Sequence, residues 1–271
     1  MNCKLVLNNI RNNFEEYLIK SKLKSVILGV SGGVDCALVA AIAKPVCEKL
    51  KIKLIGVSLP TVNNKIRENI RAVQIIKYHC MEECKSFVDD LCNVAYRFCN
   101  SIDKSSYSGG SIDDKIDYGN ITARCRMIML YSIAYREKGM VLSTDNLTEY
   151  YLGFWTLHGD VGDYGMIQNL WKTEVYELSN WICKNELSDL PYQSESLRQC
   201  IVAIPTDGLG ITESDLDQIG AKTYAEVDII LTEYFSLEKH KDHPVIQRHL
   251  KSEFKRHNPL SISREDLFRR K

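Results

Sequence analysis

The sequence predicts an α/β fold: an open, mostly parallel sheet with helices on both faces, continued by a helical C-terminal part. Three observations predict it. Short apolar runs of strand length recur between longer helical patterns. The first run passes straight into a glycine turn and then a helix. From Lys172 onward the strand signal gives way to helices. Strands that alternate with helices form parallel sheets covered on both faces. Right-handed crossovers put the strand C-termini on one edge, where ligands of such sheets bind.

Taken in order, Lys4–Leu18 places Leu5, Leu7, Ile10, Phe14, Tyr17 and Leu18 near a helical stripe. Ser25–Val30 (SVILGV) is continuously apolar, as a strand buried on both faces would be. Ser31–Asp35 (SGGVD) is the turn, and CALVAAIAKPVCEKL the helix. Lys53–Leu59 reads as a second strand. Asn64–Tyr78 reads as a helix with Ile66, Ile70, Val73, Ile75 and Ile76 on its apolar side. Lys85–Val88 is expected to be a short strand and Asp89–Ser101 a helix, followed by a mobile loop at Lys104–Ser111 (KSSYSGGS). Ile116–Glu137 is a long helix and Gly139–Ser143 the last strand. The C-terminal helices are expected at Lys172–Asn185, Tyr224–Phe235 and Pro244–Lys255. The long loop Val202–Gly220 lies among them.

Lys+Arg and Asp+Glu balance at 35 each over 271 residues, which excludes a nucleic-acid binder working by bulk electrostatics. No apolar run approaches the ~18 residues of a membrane span. The start, MNCKLVLNNIRNN, lacks the basic-then-apolar order of a signal peptide. A soluble cytoplasmic protein is the expectation. The ten cysteines are then reduced thiols rather than a disulfide framework. Cys80, Cys84, Cys92 and Cys99 lack the close pairing of structural zinc ligands and read as small apolar residues on helices.

Chemistry concentrates first in Gly29-Val30-Ser31-Gly32-Gly33-Val34-Asp35-Cys36, between a strand and a helix N-terminus. Unpaired N–H groups and the positive end of the helix dipole favour an anion there, and glycines let the backbone come close. The string is neither a Walker A motif nor GxGxxG. After a strand, SGGxD resembles the pyrophosphatase loop of the adenine nucleotide alpha-hydrolase-like superfamily, whose enzymes cleave ATP between the α and β phosphates.

Further motifs narrow the resemblance. Asn120–Met127 (NITARCRM), Ser143–Asp163 (STDNLTEYYLGFWTLHGDVGD) and Trp171–Thr173 (WKT) are similar to NAD synthetase motifs, in the same order. IPTDGL at 204–209, SDLDQIGAKTYAEVD at 214–228 and EFKRHNP at 253–259 also fit, so the resemblance spans nearly all of the chain. It implies one NAD synthetase-like domain over residues 1–271, of the ammonia-dependent form, acting as a homodimer. The implied reaction is the ATP-dependent amidation of nicotinic acid adenine dinucleotide to NAD with ammonia, through an adenylated intermediate, releasing AMP and pyrophosphate.

The resemblance also implies roles for residues. ATP rests on Gly29–Cys36 and meets Thr144, Lys172 and Thr206. Mg²⁺ is held by Asp35 and Glu149, consistent with its preference for one or two carboxylates plus waters and phosphate oxygens. Lys172 neutralises charge developing on the phosphates. Arg124, Asp163 and Lys255 bind the dinucleotide, Lys255 across a dimer interface. Arg126 stands open between a substrate contact and a structural ion pair. His158 reads as a hydrogen-bonded loop histidine rather than a base. Loops at Asp103–Lys115 and Val202–Gly220 are expected to close over the reaction and exclude water.

Departures weigh mainly on the acceptor half. Cys36 stands where the family usually has Ser; a thiol donates more weakly than a hydroxyl and is open to oxidation, so reduced or redox-sensitive activity is expected. Leu157 stands where many members have Lys, Gly159–Asp163 is one residue short, and Phe254 replaces a His. Two other functions remain open: an adenylating enzyme with a different acceptor, and a non-catalytic nucleotide-binding relative.

Overall fold

The structure, a computed structural model, describes residues 1–61, 64–84, 93–95, 97–98, 111–206 and 211–269. Helix α1 (Cys3–Ser21) starts on the side chain of Asn2, which accepts from Leu5 N, and stops at Lys22 in the left-handed region. It leads into β1 (Ser25–Gly29), then α2 (Val34–Leu50), β2 (Lys53–Val57), α3 (Ile66–His79) and β3 (Glu82–Cys84). The long α4 (Ile112–Arg136) is capped by Ser111, which accepts from Asp114 N. It is followed by β4 (Gly139–Leu142) and the short α5 (Leu147–Leu152).

The described strands form one all-parallel sheet in the order β3-β2-β1-β4. The chain therefore winds outward from β1 in one direction and returns to its other side with β4. The β1/β4 boundary is the topological switch point, where a crevice opens at the strand C-termini. The fold class read from the sequence is the one found.

Both sheet faces are covered. On one side α1 and α2 pack with the C-terminal helices α6 (Lys172–Asn185) and α7 (Pro191–Ile201); Phe14, Leu38, Ile42, Leu54 and Leu178 are fully buried there. On the other, α4 lays Cys125, Met127, Leu130 and Ala134 against Ile27, Ile55 and Val141. A third cluster joins α5 to α8 (Asp215–Ile219), α9 (Tyr224–Leu237) and α10 (Pro244–Lys251) through Leu152, Ile219, Val227, Leu231 and Ile246.

Several details differ from the sequence reading. On α3, Ile75 and Ile76 are buried, but Ile66, Ile70 and Val73 are 77%, 50% and 51% exposed, because only one side of that helix meets the sheet and α7. Helix α7 escaped the periodicity, being half polar (PYQSESLRQCI); its one signal is Pro191 at the first turn. The loop 202–220 holds the short α8. The C-terminal helix breaks at Ser252, and Glu253–Arg256 forms a separate turn, α11. The strand expected at 85–88 and residues 103–110 lie outside the described residues, as do most of the helix expected at 89–101 and the thiols Cys92 and Cys99. The eight described cysteines are free thiols, seven of them buried.

Candidate functional site

The SGGVD turn leaves β1 at the switch point. Gly32 adopts φ +84, and a Cβ there would stand 2.5 Å from Glu68 O and 3.0 Å from Ala72 N. Glycine is thus required both by backbone conformation and by close approach to α3. Arg71 of α3 clamps the turn, its Nε donating to Gly32 O at 2.8 Å. Gly33 begins α2 without a side-chain cap, so the first N–H groups of a 17-residue helix stay available to an anion. Cys36 is buried, its thiol donating to Gly33 O (3.2 Å) and lying 3.5 Å from Ser31 Oγ. Burial there shields it from solution oxidants, so the redox sensitivity expected of it has little support.

Lys172, at the start of α6, is 3% exposed rather than a surface residue. Its Nζ donates to Asp35 Oδ2 at 2.6 Å and to Glu149 Oε1 at 2.9 Å, across 137 and 23 residues of sequence. Both acids therefore converge on one point at the foot of the glycine turn. Asn146 Nδ2 holds the other Asp35 oxygen at 2.9 Å, while Glu149 also caps α5 by accepting from Asn146 N. Burial alone would lower the Lys172 ammonium, but Asp35 and Glu149 outweigh it and hold it protonated well above its ordinary range. Burial pushes the Glu149 carboxyl up, with Lys172 pulling it back and Asp35 and Asp145 adding to the rise. Asp145, half-buried, is pushed up to about 7 by loss of solvent, against the pull of a 2.8 Å bond from Ser143 Oγ.

The C-terminal cluster holds this point in place. Asp228 of α9 accepts from Thr148 Oγ1 (2.6 Å) and Thr173 N (3.0 Å), and Thr148 Oγ1 accepts from Lys172 N (2.8 Å).

Above the turn opens a cleft of about 370 Å³. Gly29–Ser31, Gly33–Asp35, Thr144, Glu149, Lys172 and Thr206 all line it, so the residues assigned to ATP and Mg²⁺ come together, apart from Gly32 and Cys36 just behind the wall. A second cavity of about 310 Å³ lies between α4 and Gly153–Thr156. Asn64, Arg126, Phe154 and Asp160 border both. Arg126 is set by bonds to Leu59 O (2.9 Å) and Asn64 Oδ1 (3.3 Å), and Asn64 in turn donates to Glu68 Oε2 (3.0 Å).

The residues assigned to the acceptor scatter. Lys255 lines the second cavity, its Nζ on Gly153 O at 2.7 Å and on Trp155 O; burial, then Arg248, lowers it. Arg124 and Asp163 line neither. Arg124 Nε donates to Leu157 O at 3.2 Å, and Asp163 accepts from Tyr131 Oη and Val141 N, both at 2.9 Å. His158 is a loop histidine bonded to Asn258 Nδ2 at 3.0 Å. Sequence reasoning passed over Asp145, Asp160 and Asp228, though all three lie inside the family-like motifs, and over Arg71, which carried no local signal.

The NAD synthase family model matches residues 6–259. The chain belongs to the NAD synthase family. An NH(3)-dependent NAD(+) synthetase of Methanococcus aeolicus is 31% identical over 89% of this chain and 86% of its own length. The one from Mycoplasma genitalium is 30% identical over 94% of each. Among solved structures, an NMN synthetase from Francisella tularensis superposes with TM-score 0.76 at 24% identity, covering 97% of this chain and 98% of that one. An NH3-dependent NAD synthetase from Campylobacter jejuni gives 0.70 at 21%, over 97% and 100%. At those identities the two structures speak for the fold of the family.

Proposed function

We propose that this chain is an ammonia-dependent ligase that amidates nicotinic acid adenine dinucleotide to NAD at the expense of ATP. The observation that carries the reading is the meeting of Asp35, Glu149 and Lys172 at the foot of an uncapped, glycine-rich helix N-terminus on the sheet's switch point. The acceptor carboxylate attacks the α-phosphorus of ATP, the bond to the β-phosphate breaks, and pyrophosphate leaves. Ammonia then attacks the acyl carbon and expels AMP, leaving the amide. The protein's task is positioning and charge stabilisation.

The N–H groups from Ser31 into α2 cradle phosphates, and Thr144 and Thr206 meet the nucleotide from the opposite wall. Asp35 and Glu149 suit Mg²⁺: two hard carboxylates face a point where a cation, the Lys172 ammonium, already sits. No third His, Cys, Asp or Glu joins them as a ligand among the described residues, which leaves room for water and phosphate oxygens. The metal would neutralise phosphate charge, and Lys172, freed from part of its ion bridge, would do the same beside it. Arg126, at the border of the two cavities, faces the reacting groups from the acceptor side.

The homodimer finds support on α4. Arg124, Ile128, Tyr131 and Tyr135 follow helical spacing, the last three are 66%, 41% and 87% exposed, and Tyr131 holds Asp163. The assigned acceptor residues that miss their own cavities thus sit on an apolar face that a second copy would cover. Residues 1–271 act as one domain on this reading, since Asp228 ties the C-terminal helices to Lys172. No described helix is long and apolar enough to cross a membrane; a cytoplasmic enzyme using cellular ammonia and no nucleic acid completes the reading.

Incubation with ATP, Mg²⁺, ammonium and nicotinic acid adenine dinucleotide tests it, with NAD and pyrophosphate followed together. Stoichiometric NAD and pyrophosphate are expected. Pyrophosphate with other acceptors alone would replace the substrate, and neither product would leave a nucleotide-binding protein.

A further inference from the structure

The second cavity carries two buried polar atoms with no hydrogen-bond partner among the described residues: the indole Nε1 of Trp155 and the hydroxyl Oγ1 of Thr122. Thr122 is 4% exposed. Groups around them are already committed. Asn120 Oδ1 accepts from Thr156 Oγ1 at 2.9 Å, Thr156 N donates to Asp160 Oδ2 at 2.5 Å, and Lys255 Nζ is held by two backbone carbonyls. Buried donors are rarely left unpaired, because each unmade bond forfeits the full cost of removing that group from water. Two such atoms on residues that line one cavity mark where a ligand's atoms belong.

The chemistry of that ligand can be read from the wall. An indole N–H only donates, so the ligand presents an acceptor to Trp155; the Thr122 hydroxyl can do either. Arg126, Arg248 and Lys255 against Asp160 give the cavity a net positive lining, suited to an anion. Arg126 and Asp160 also border the phosphate-turn cleft, so the reacting end of the ligand lies there and its remainder reaches back past Trp155 and Thr122.

We propose that Trp155 Nε1 and Thr122 Oγ1 are the specificity contacts for the acceptor, binding the ribose and phosphate oxygens of a pyridine-carboxylate ribonucleotide whose carboxylate meets ATP at the Arg126–Asp160 border. The inference rests on the amidation reading above. It also accounts for Leu157: where the resembled motif carries a lysine, this chain supplies neutral donors from Trp155 and Thr122.

The moiety is common to the mononucleotide and the dinucleotide, so both serve as acceptors in the test. Trp155→Phe keeps an aromatic ring and removes the N–H along with the five-membered ring that bears it; Thr122→Val keeps the shape and removes the hydroxyl. Each variant is expected to raise KM for either acceptor about 5- to 10-fold, the worth of one neutral hydrogen bond, while KM for ATP holds. The thermal midpoint of Thr122→Val without ligand should be equal to or above wild type, since no bond is lost in the free protein. Acceptor titration followed by intrinsic tryptophan emission should show the same weakening in Thr122→Val without any turnover. Wild-type acceptor KM in both variants overturns the proposal, as does an equal rise in KM for ATP. So does an effect confined to the dinucleotide, which would move the contacts to its adenylate half. If the wild-type enzyme makes no amide from either acceptor, the functional reading fails instead.

Discussion

Replacing Lys172 by Met removes the ammonium from between Asp35 and Glu149 while keeping much of the side chain's volume. The two carboxylates are then left facing each other with side chains only 17% and 18% exposed. Breaking a buried ion pair from one side costs about 3–5 kcal/mol, because the surviving charge stays desolvated. Here two charges survive, but Asn146 still satisfies one Asp35 oxygen, so the middle of that range is expected near pH 8. Proton uptake by one of the acids relieves the repulsion, and Glu149, already pushed upward by burial, is the group that takes it. The deficit against wild type should therefore shrink as pH falls from 8 to 5. At roughly 2 °C per kcal/mol for a chain of this size, the thermal midpoint should drop by about 6–10 °C. Mg²⁺ should raise the midpoint of the variant more than that of wild type, because it no longer displaces an ammonium. Urea titrations at three pH values, with and without Mg²⁺, measure all of this. A loss under about 1 kcal/mol, or a deficit that widens in acid, would refute the picture of a buried cation bridge.

Other outcomes follow from single contacts. Gly32→Ala places a Cβ against Glu68 O in a left-handed conformation worth about 1–2 kcal/mol of strain; KM for ATP should rise roughly tenfold or more, with an unchanged circular dichroism spectrum. Cys36→Ser restores a stronger donor beside Ser31 and should lower KM for ATP severalfold in reducing buffer; an unchanged constant would make the thiol an equal partner. His79, buried and bonded to Gln193 O and Ser196 Oγ, is lowered to about 4 by burial. The unfolded chain takes up its proton near pH 6.5 and the native one only near 4. Stability is thus intact above 6.5 and lost as pH falls through that window, by about 3 kcal/mol in all. His79→Gln should flatten that part of the urea midpoint-versus-pH curve, and parallel curves would exclude His79 as its source.

What was legible in the sequence was mostly local. The strand–turn–helix unit and its phosphate turn are contiguous, and hydrophobic period plus glycine positions suffice to place them. Asp35, Glu149 and Lys172 could be chosen by motif, but their convergence depends on β1 and β4 lying side by side, which no local pattern encodes. Arg124 and Arg126 show the limit most directly. Two residues apart on a helix means about 200° around its axis, so only one can face a given cavity. The fold turns Arg126 inward and leaves Arg124 on the outer face with Ile128. The α3 stripe fails for a related reason: period reports an apolar side, not whether anything covers it.

The two halves of the site are built on different principles, and this bears on how the enzyme diverges. On the proposed reading the ATP half is set by backbone, a turn clamped by Arg71 and a helix N-terminus, beside acids fixed by Asn146 and Lys172. Its geometry tolerates few changes, and Gly32 alone shows why, since even one added carbon meets backbone on α3. On the same reading the acceptor half is made of side chains on α4 and the Gly153–Asp163 turn, although Gly162 and Asp163 of that turn also pack on β4 backbone. On the proposed reading a change of acceptor falls on Leu157, Trp155 and Thr122, while the adenylating chemistry stays bound to the switch point of the sheet.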